Sequence, residues 1–308
     1  MMDGKISNLC QIASLRRYEL SDGPERGLRV LDCDNGKLRF LLNESCALDV
    51  MQLFDGGMNI SFVSKNGFTM RETDFAIRFE GGMLYTVGLD SAGAREGFPL
   101  HGTLHNIPAR VTTAVCDENG ILVEAEIEDT ELFGKHLRLK RRVCSAVNSD
   151  TLTIEDTLEN LGTRDEEYCL LYHVNVGYPM LDEGAELLDD AEEIIPRTPW
   201  AAEHLSSRSK MGAPVPNEEE SCYFLRLKTP RVTLRNAKLG KAFTLEWPKE
   251  ALPYFVEWKS MAAGDYALGL EPSTTELDGR FSYRTLKAGE KIRFNLVMRI
   301  KNDKEQTR

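Results

Sequence analysis

Strict alternation of apolar and polar residues constrains this chain more than any other feature. His136-Leu137-Arg138-Leu139-Lys140 alternates, as do Thr151-Leu152-Thr153-Ile154-Glu155, Val232-Thr233-Leu234-Arg235 and Phe243-Thr244-Leu245-Glu246-Trp247. A longer run is Ile292-Arg293-Phe294-Asn295-Leu296-Val297-Met298-Arg299-Ile300. Successive strand side chains point to opposite faces, so a period of two describes antiparallel strands with one dry and one wet face. Turn chemistry separates the runs. Asp34-Asn35-Gly36 lies between Arg29-Val30-Leu31-Asp32-Cys33 and Leu38-Arg39-Phe40-Leu41-Leu42, and Asn119-Gly120 precedes Ile121-Leu122-Val123. Asn-Gly takes the positive φ of a tight hairpin easily.

Helical periodicity is sparse. Leu9, Ile12 and Leu15 could line a short N-terminal helix, and Leu187 to Ile195 another turn or two. The stretch from Asp190 to Glu220 is rich in Pro, Ser and Glu. It reads as a long surface excursion of the kind that borders binding sites. No internal repeat or low-complexity linker interrupts the 308 residues. The expectation is one domain over 1–308 with an all-β fold. It would be a large antiparallel β-sandwich with wide sheets and few short helices.

Composition narrows the partners. A formal net charge of -11 repels phosphate backbones, and Lys140-Arg141-Arg142 reads as the outer face of a strand, so nucleic acid is not expected. No apolar run approaches the roughly 20 residues that span a bilayer. The N-terminus lacks the charged-then-apolar order of a signal peptide. These features predict a cytoplasmic chain with no membrane partner. Seven cysteines without a C-x-x-C pair predict free thiols and no zinc ribbon.

Three stretches break the strand background. In the first, Leu100-His101-Gly102-Thr103-Leu104-His105-Asn106-Ile107-Pro108, two histidines share a Gly- and Pro-flanked loop. Their spacing suggests a metal pair only on a helix, which Gly102 and Pro108 disfavour. A metal would also need a third ligand, which His173 could offer. A hydrogen-bonding loop histidine is the better reading. The second stretch is Leu171-Tyr172-His173-Val174-Asn175-Val176-Gly177-Tyr178-Pro179. His173 and Asn175 share a face that should be core, so they form either a costly buried pair or a pocket floor. The third is Trp258-Lys259 with Leu268-Gly269-Leu270-Glu271-Pro272, where Pro272 stops the ladder and leaves Glu271 at a strand end. A carboxylate among apolar residues can have a pKa suited to proton transfer. There is no G-x-S-x-G elbow, dinucleotide fingerprint or P-loop.

These stretches, together with Gly81-Gly82-Met83-Leu84-Tyr85-Thr86-Val87-Gly88-Leu89, resemble the aldose 1-epimerase (galactose mutarotase-like) superfamily. The match is to its branch of poorly characterised domain-of-unknown-function members and runs over roughly residues 25 to 302. The resemblance implies a galactose mutarotase-like supersandwich with a sugar cleft on a concave face, no metal and no cofactor. By position it makes Glu271 the base for the anomeric hydroxyl and His173 the acid for the ring oxygen, while His101 binds a hydroxyl or shares the acid's role. Trp258 and Tyr178 could stack on a pyranose, and Asn106, Asn175 and Lys259 could hydrogen-bond hydroxyls or an acidic group. His105 joins the binding candidates as the more structural histidine of the loop. One departure stands out: the branch carries Arg-Gly before an apolar-Asp pair, whereas this chain reads Ser45-Cys46-Ala47-Leu48-Asp49.

The reading is an isomerase interconverting anomers of a small-molecule carbohydrate, as a monomer or homodimer. Two alternatives remain open. One is a catalytically inactive carbohydrate-binding protein on the same fold. The other is a glycoside hydrolase or lyase that pairs Glu271 with Glu257 or Asp182.

Overall fold

The computed structural model describes residues 4–302. Five strands form an antiparallel meander in chain order: β1 (Ser14–Glu19), β2 (Arg29–Asp34), β3 (Leu38–Asn43), β4 (Asp49–Asp55) and β5 (Met58–Asn59). A long loop with the single-turn α1 (Phe75–Arg78) leads to β6 (Leu84–Leu89). Then come β7 (Arg110–Cys116), β8 (Gly120–Thr130), β9 (His136–Ala146), β10 (Thr151–Asn160) and β11 (Glu166–Val176). Next are β12 (Glu186–Leu188), β13 (Ala191–Pro196), α2 (Pro199–Glu203), β14 (Ser221–Leu227), β15 (Arg231–Asn236) and β16 (Lys241–Glu246). The last four strands are β17 (Tyr254–Ser260), β18 (Ala267–Ser273), β19 (Arg284–Leu286) and β20 (Lys291–Asn302).

Beyond the meander lie two wide antiparallel sheets. One has the order β12-β15-β16-β20-β10-β9-β8-β7. The other runs β13-β14-β17-β18-β11-β19, with β6 added against β11. The alternation seen in the sequence is the physical basis of both. On β9, for example, Leu137, Leu139 and Val143 are buried while Lys140 is exposed. One continuous core joins Leu139, Ile154 and Leu296 of the eight-stranded sheet to Tyr172, Val174 and Leu270 of the seven-stranded sheet. The opposite face of the seven-stranded sheet carries a smaller cluster that includes Tyr85, Leu171, Phe224 and Val256. That second face positions the site. Among the described residues no helix is long and apolar enough to cross a membrane.

The structure corrects several local expectations. Leu9–Gln11 is one 3-10 turn and Leu15 already belongs to β1, so the N-terminal helix is not formed. The stretch from Leu187 to Ile195 forms strand edges, β12 and β13, because its apolar residues pair with β15 and β14. The excursion from Asp190 to Glu220 contributes β13 to the sheet and is only partly loop.

Arg141 is the largest correction. It continues the phase of Leu137 and Leu139, so it enters the core instead of the outer face, and its side chain is fully buried. There its guanidinium meets Asp156 at 2.7 Å, Thr86 Oγ1 at 2.9 Å and the Ala47 carbonyl at 3.0 Å, and it also contacts Asp49. Tyr172 donates to Asp156 at 2.8 Å. The network therefore joins β4, β6, β9, β10 and β11. Each buried charge in it is paired and hydrogen-bonded, the condition for keeping charges away from water.

Candidate active site

The cleft is built from the register of the seven-stranded sheet. On β11 and β18, Leu171 faces Ser273 and Val174 faces Leu270. This register sets His173 opposite Glu271, two strand residues that each interrupt an apolar run. Next along, β17 and β18 pair Val256 with Glu271 and Trp258 with Gly269. His173, Glu271 and Trp258 thereby share one face, and they line a cleft of about 510 Å³ with Phe62, Phe79, His101, Arg197, Glu220 and Cys222.

Gly269 makes the close approach possible. A Cβ there would lie 2.7 Å from Glu271 Oε1, 3.0 Å from His173 Cε1 and 3.1 Å from Trp258 Cβ. His173 Nε2 and Glu271 Oε1 stand 3.2 Å apart, both residues almost fully buried. Glu271 Oε1 and His173 Nδ1 have no hydrogen-bond partner in the protein. Buried polar atoms are nearly always satisfied, so two orphans on a cleft floor mark a place for a polar ligand.

Rings frame the pair. His173 contacts Trp258 edge-on at 5.5 Å, His101 edge-on at 5.8 Å and Phe79 at 5.8 Å. His101 takes a positive φ of 66° at the tip of its loop, where its Nδ1 accepts from the Gly93 N–H at 3.3 Å. That leaves Nε2 free to donate. Gly102 follows, also at positive φ, and any Cβ would strike Asp90 and the Gly88 carbonyl. The His-Gly step therefore has a steric basis.

Burial governs the electrostatics. Burial first, then the neighbouring His101, holds His173 down to about 3. Burial and then Arg197 lower His101 to about 4. Burial pushes the Glu271 carboxyl well above the usual carboxylate range; the Glu220 charge adds to this and Arg197 opposes it. Near neutral pH these shifts favour a neutral imidazole beside a protonated carboxyl, a base and an acid close enough to serve proton transfer.

The sequence candidates separate cleanly. Glu271, His173, His101 and Trp258 meet in the cleft. Lys259 follows Trp258 directly and so points to the other face, where its Nζ is spent on the Ser207, Arg208 and Lys210 carbonyls. Asn175 shares the His173 face but is fully buried, because the bridge between Ser61 and Val176 lays the Phe62 segment over the strand end. Tyr178 is 70% exposed outside the cleft, and Asn106 is exposed off the cleft wall. His105 is buried between Asp49 at 2.7 Å and Glu80 at 2.8 Å, stacked on Tyr85 at 3.8 Å. Burial opposes its charge, but Glu80 foremost, with Asp49 among the other contributors, raises its pKa well above the ordinary value. Cys46 lies beside Glu80 and His105, with the Arg78 guanidinium 3.8 Å from its sulfur. Of the carboxylates offered as partners for Glu271, Glu257 is on the opposite face with Arg208, and Asp182 is tied to Lys238. Sequence reasoning missed Arg197, Glu220 and the Phe62–Phe79 wall. The one available signal was that Glu220 sits two residues before Cys222, on the same side of the strand.

Solved structures share this architecture. A candidate aldose 1-epimerase from Klebsiella pneumoniae superposes with a TM-score of 0.84 over 96% of this chain and 85% of its own, at 18% identity. A galactose mutarotase-like protein from Clostridium acetobutylicum gives a TM-score of 0.70 over 95% and 99% of the two chains, at 17% identity. At such identities the likeness is one of fold, and the fold is the galactose mutarotase-like β-sandwich. A search of curated proteins finds no match. Sequence over residues 25–299 matches the family described as Domain of unknown function (DUF4432), and the chain belongs to that family.

Proposed function

We propose that the protein is an isomerase that interconverts the anomers of an aldose or aldose derivative by acid–base ring opening. The observation that carries this reading is the His173–Glu271 pair, 3.2 Å apart on the floor of an aromatic-walled cleft, each residue with a buried polar atom that no protein group satisfies. The anomeric hydroxyl and the ring oxygen of a pyranose are bonded to one carbon. Two proton-transfer groups in contact with each other can therefore reach both.

The resting pair is a neutral imidazole beside a protonated carboxyl; in the productive arrangement the carboxyl proton has passed to His173, 3.2 Å away, and Glu271 is the base. Glu271 takes the proton of the anomeric hydroxyl while His173 protonates the ring oxygen, and the ring opens to the aldehyde. Rotation about the bond from the aldehyde carbon to its neighbour turns the other carbonyl face to the ring hydroxyl. The same two groups then act in reverse. His101 donates from Nε2 to a sugar hydroxyl, and Trp258 offers a face to the apolar side of the ring.

The test is anomer exchange by NMR with a panel of neutral, acidic and phosphorylated aldoses. Acceleration of at least one sugar is expected, and Glu271→Gln should lower kcat by about 10²- to 10⁴-fold, the usual worth of a positioned acid or base. Sugar binding without acceleration by the unmodified protein would replace this reading with a carbohydrate-binding role.

A further inference from the structure

Glu220 has a place in the cleft that its exposure alone would not suggest. β14 and β17 pair Cys222 with Trp258, and Ser221 with Lys259. Glu220 lies two residues before Cys222, on the same face, and so is the diagonal cross-strand neighbour of Trp258. Its Oε2 accepts from the Trp258 indole N–H at 2.7 Å. The other charged groups around the cleft are committed to ions: Arg197 to Asp278 at 2.6 Å and Lys65 to Asp265 at 2.7 Å. Among the described residues no cation lies within ion-pair distance of Glu220, so its carboxylate is directed to a neutral donor.

We propose that Glu220 is a positioning residue of this site, fixing the plane of the Trp258 indole across the cleft against His173. A tryptophan side chain has two torsions, and one charge-assisted hydrogen bond at the indole nitrogen restrains both. The ring so held spans Phe62 at 6.5 Å and His173 at 5.5 Å. It bridges the outer wall and the proton-transfer pair.

Glu220 also faces the pair electrostatically. The titratable and charged groups that line the cleft with Glu271 are His173 from β11, His101 from its loop, Arg197 after β13, Cys222 from β14, Glu220 itself and the Lys65–Asp265 ion pair. Of these Glu220 is the anion without a paired cation, and a like charge nearby favours the protonated form of Glu271. One residue thus sets the platform for the sugar and biases the proton beside it. The kinetic part of this inference rests on the epimerase reading; the structural part does not.

The experiment uses the full chain with ¹⁵N-labelled tryptophan, three single variants and one double variant. Trp258→Phe identifies the indole resonance. Glu220→Gln keeps an acceptor and removes the charge, and Glu220→Ala removes both. Solvent exchange of the Trp258 indole proton should be slow in the unmodified protein and in Glu220→Gln, and about fivefold or more faster in Glu220→Ala, the loss expected for one hydrogen bond. With whichever aldose is turned over, Glu220→Ala should raise KM by about the same factor and Glu220→Gln should restore most of it. Adding Trp258→Phe to Glu220→Ala should give less than the sum of the single effects. In Glu220→Gln the acidic limb of kcat/KM should move to lower pH, because losing a like charge eases ionisation of Glu271.

Equal indole exchange in all Glu220 variants would overturn the positioning role, and an unmoved acidic limb would overturn the electrostatic one. If no aldose is turned over by the unmodified protein, the epimerase reading fails and indole exchange alone decides the role of Glu220.

Discussion

Gly269→Ala adds one methyl group at the point where the three cleft residues converge. The new Cβ would sit 2.7 Å from Glu271 Oε1, 3.0 Å from His173 Cε1 and 3.1 Å from Trp258 Cβ, against ordinary contacts of 3.4 to 4 Å. The carboxylate must withdraw by more than half an ångström, and the imidazole and the Trp258 Cβ by a few tenths each. Overpacking a tight interior with one methyl typically costs about 1–3 kcal/mol, so the fold survives. Catalytic geometry is less tolerant: a displacement near 1 Å can cost about 10²-fold in rate. The expected outcome is a urea midpoint only modestly lowered and kcat/KM for anomer exchange reduced about 100-fold. Gly212→Ala is the control, because a Cβ there meets nothing within 4 Å and should leave both quantities unchanged. A Gly269→Ala protein with unaltered kcat/KM would refute the assignment of the reacting groups to this crossing of β11, β17 and β18.

Two further outcomes follow from the buried charges. Arg141→Met leaves Asp156 buried without a cation and Asp49 with His105 as its remaining partner, and should cost about 3–5 kcal/mol of unfolding free energy; a loss below about 1 kcal/mol in urea titration would contradict the network as described. His173 stays neutral in the native state down to about 3, whereas in the unfolded chain it titrates near 6.5. In that window the unfolded state binds more protons, so stability is retained above pH ~6.5 and lost as the pH falls below it. His173→Asn should therefore reduce the stability lost between pH 7 and pH 5 by about 2 kcal/mol, and identical losses in both proteins would exclude this origin.

The strands and their dry faces were legible because alternation is a local signal, and so were His173 and Glu271, each polar on an apolar run. Their facing each other was not legible. It depends on the register of two strands nearly a hundred residues apart, which no local pattern encodes. Lys259 and Trp258 could have been separated from sequence, since adjacent strand residues cannot share a face. Arg141 was misassigned by the opposite error: charge was weighed above phase, although Leu137 and Leu139 already placed its position inward. Asn175 kept its predicted face and still left the cleft. The segment that covers it comes from the loop around Phe62, and Gly177 leaves the space for that crossing, since a Cβ there would lie 2.6 Å from the Phe62 Cα.

The buried guanidinium of Arg141 bears on how the sheets find one another. Hydrophobic faces are forgiving partners; two sheets of Leu, Val and Ile can slide over each other at little cost. A one-residue slip of β9 would turn Arg141 to water and leave the buried Asp156 carboxylate without its cation, an error far larger than any misplaced methyl. The five strands that meet at this charge can all be satisfied in only one mutual alignment. The core thus carries its own test for correct assembly, and the same alignment sets the position of β11, on whose far face His173 stands.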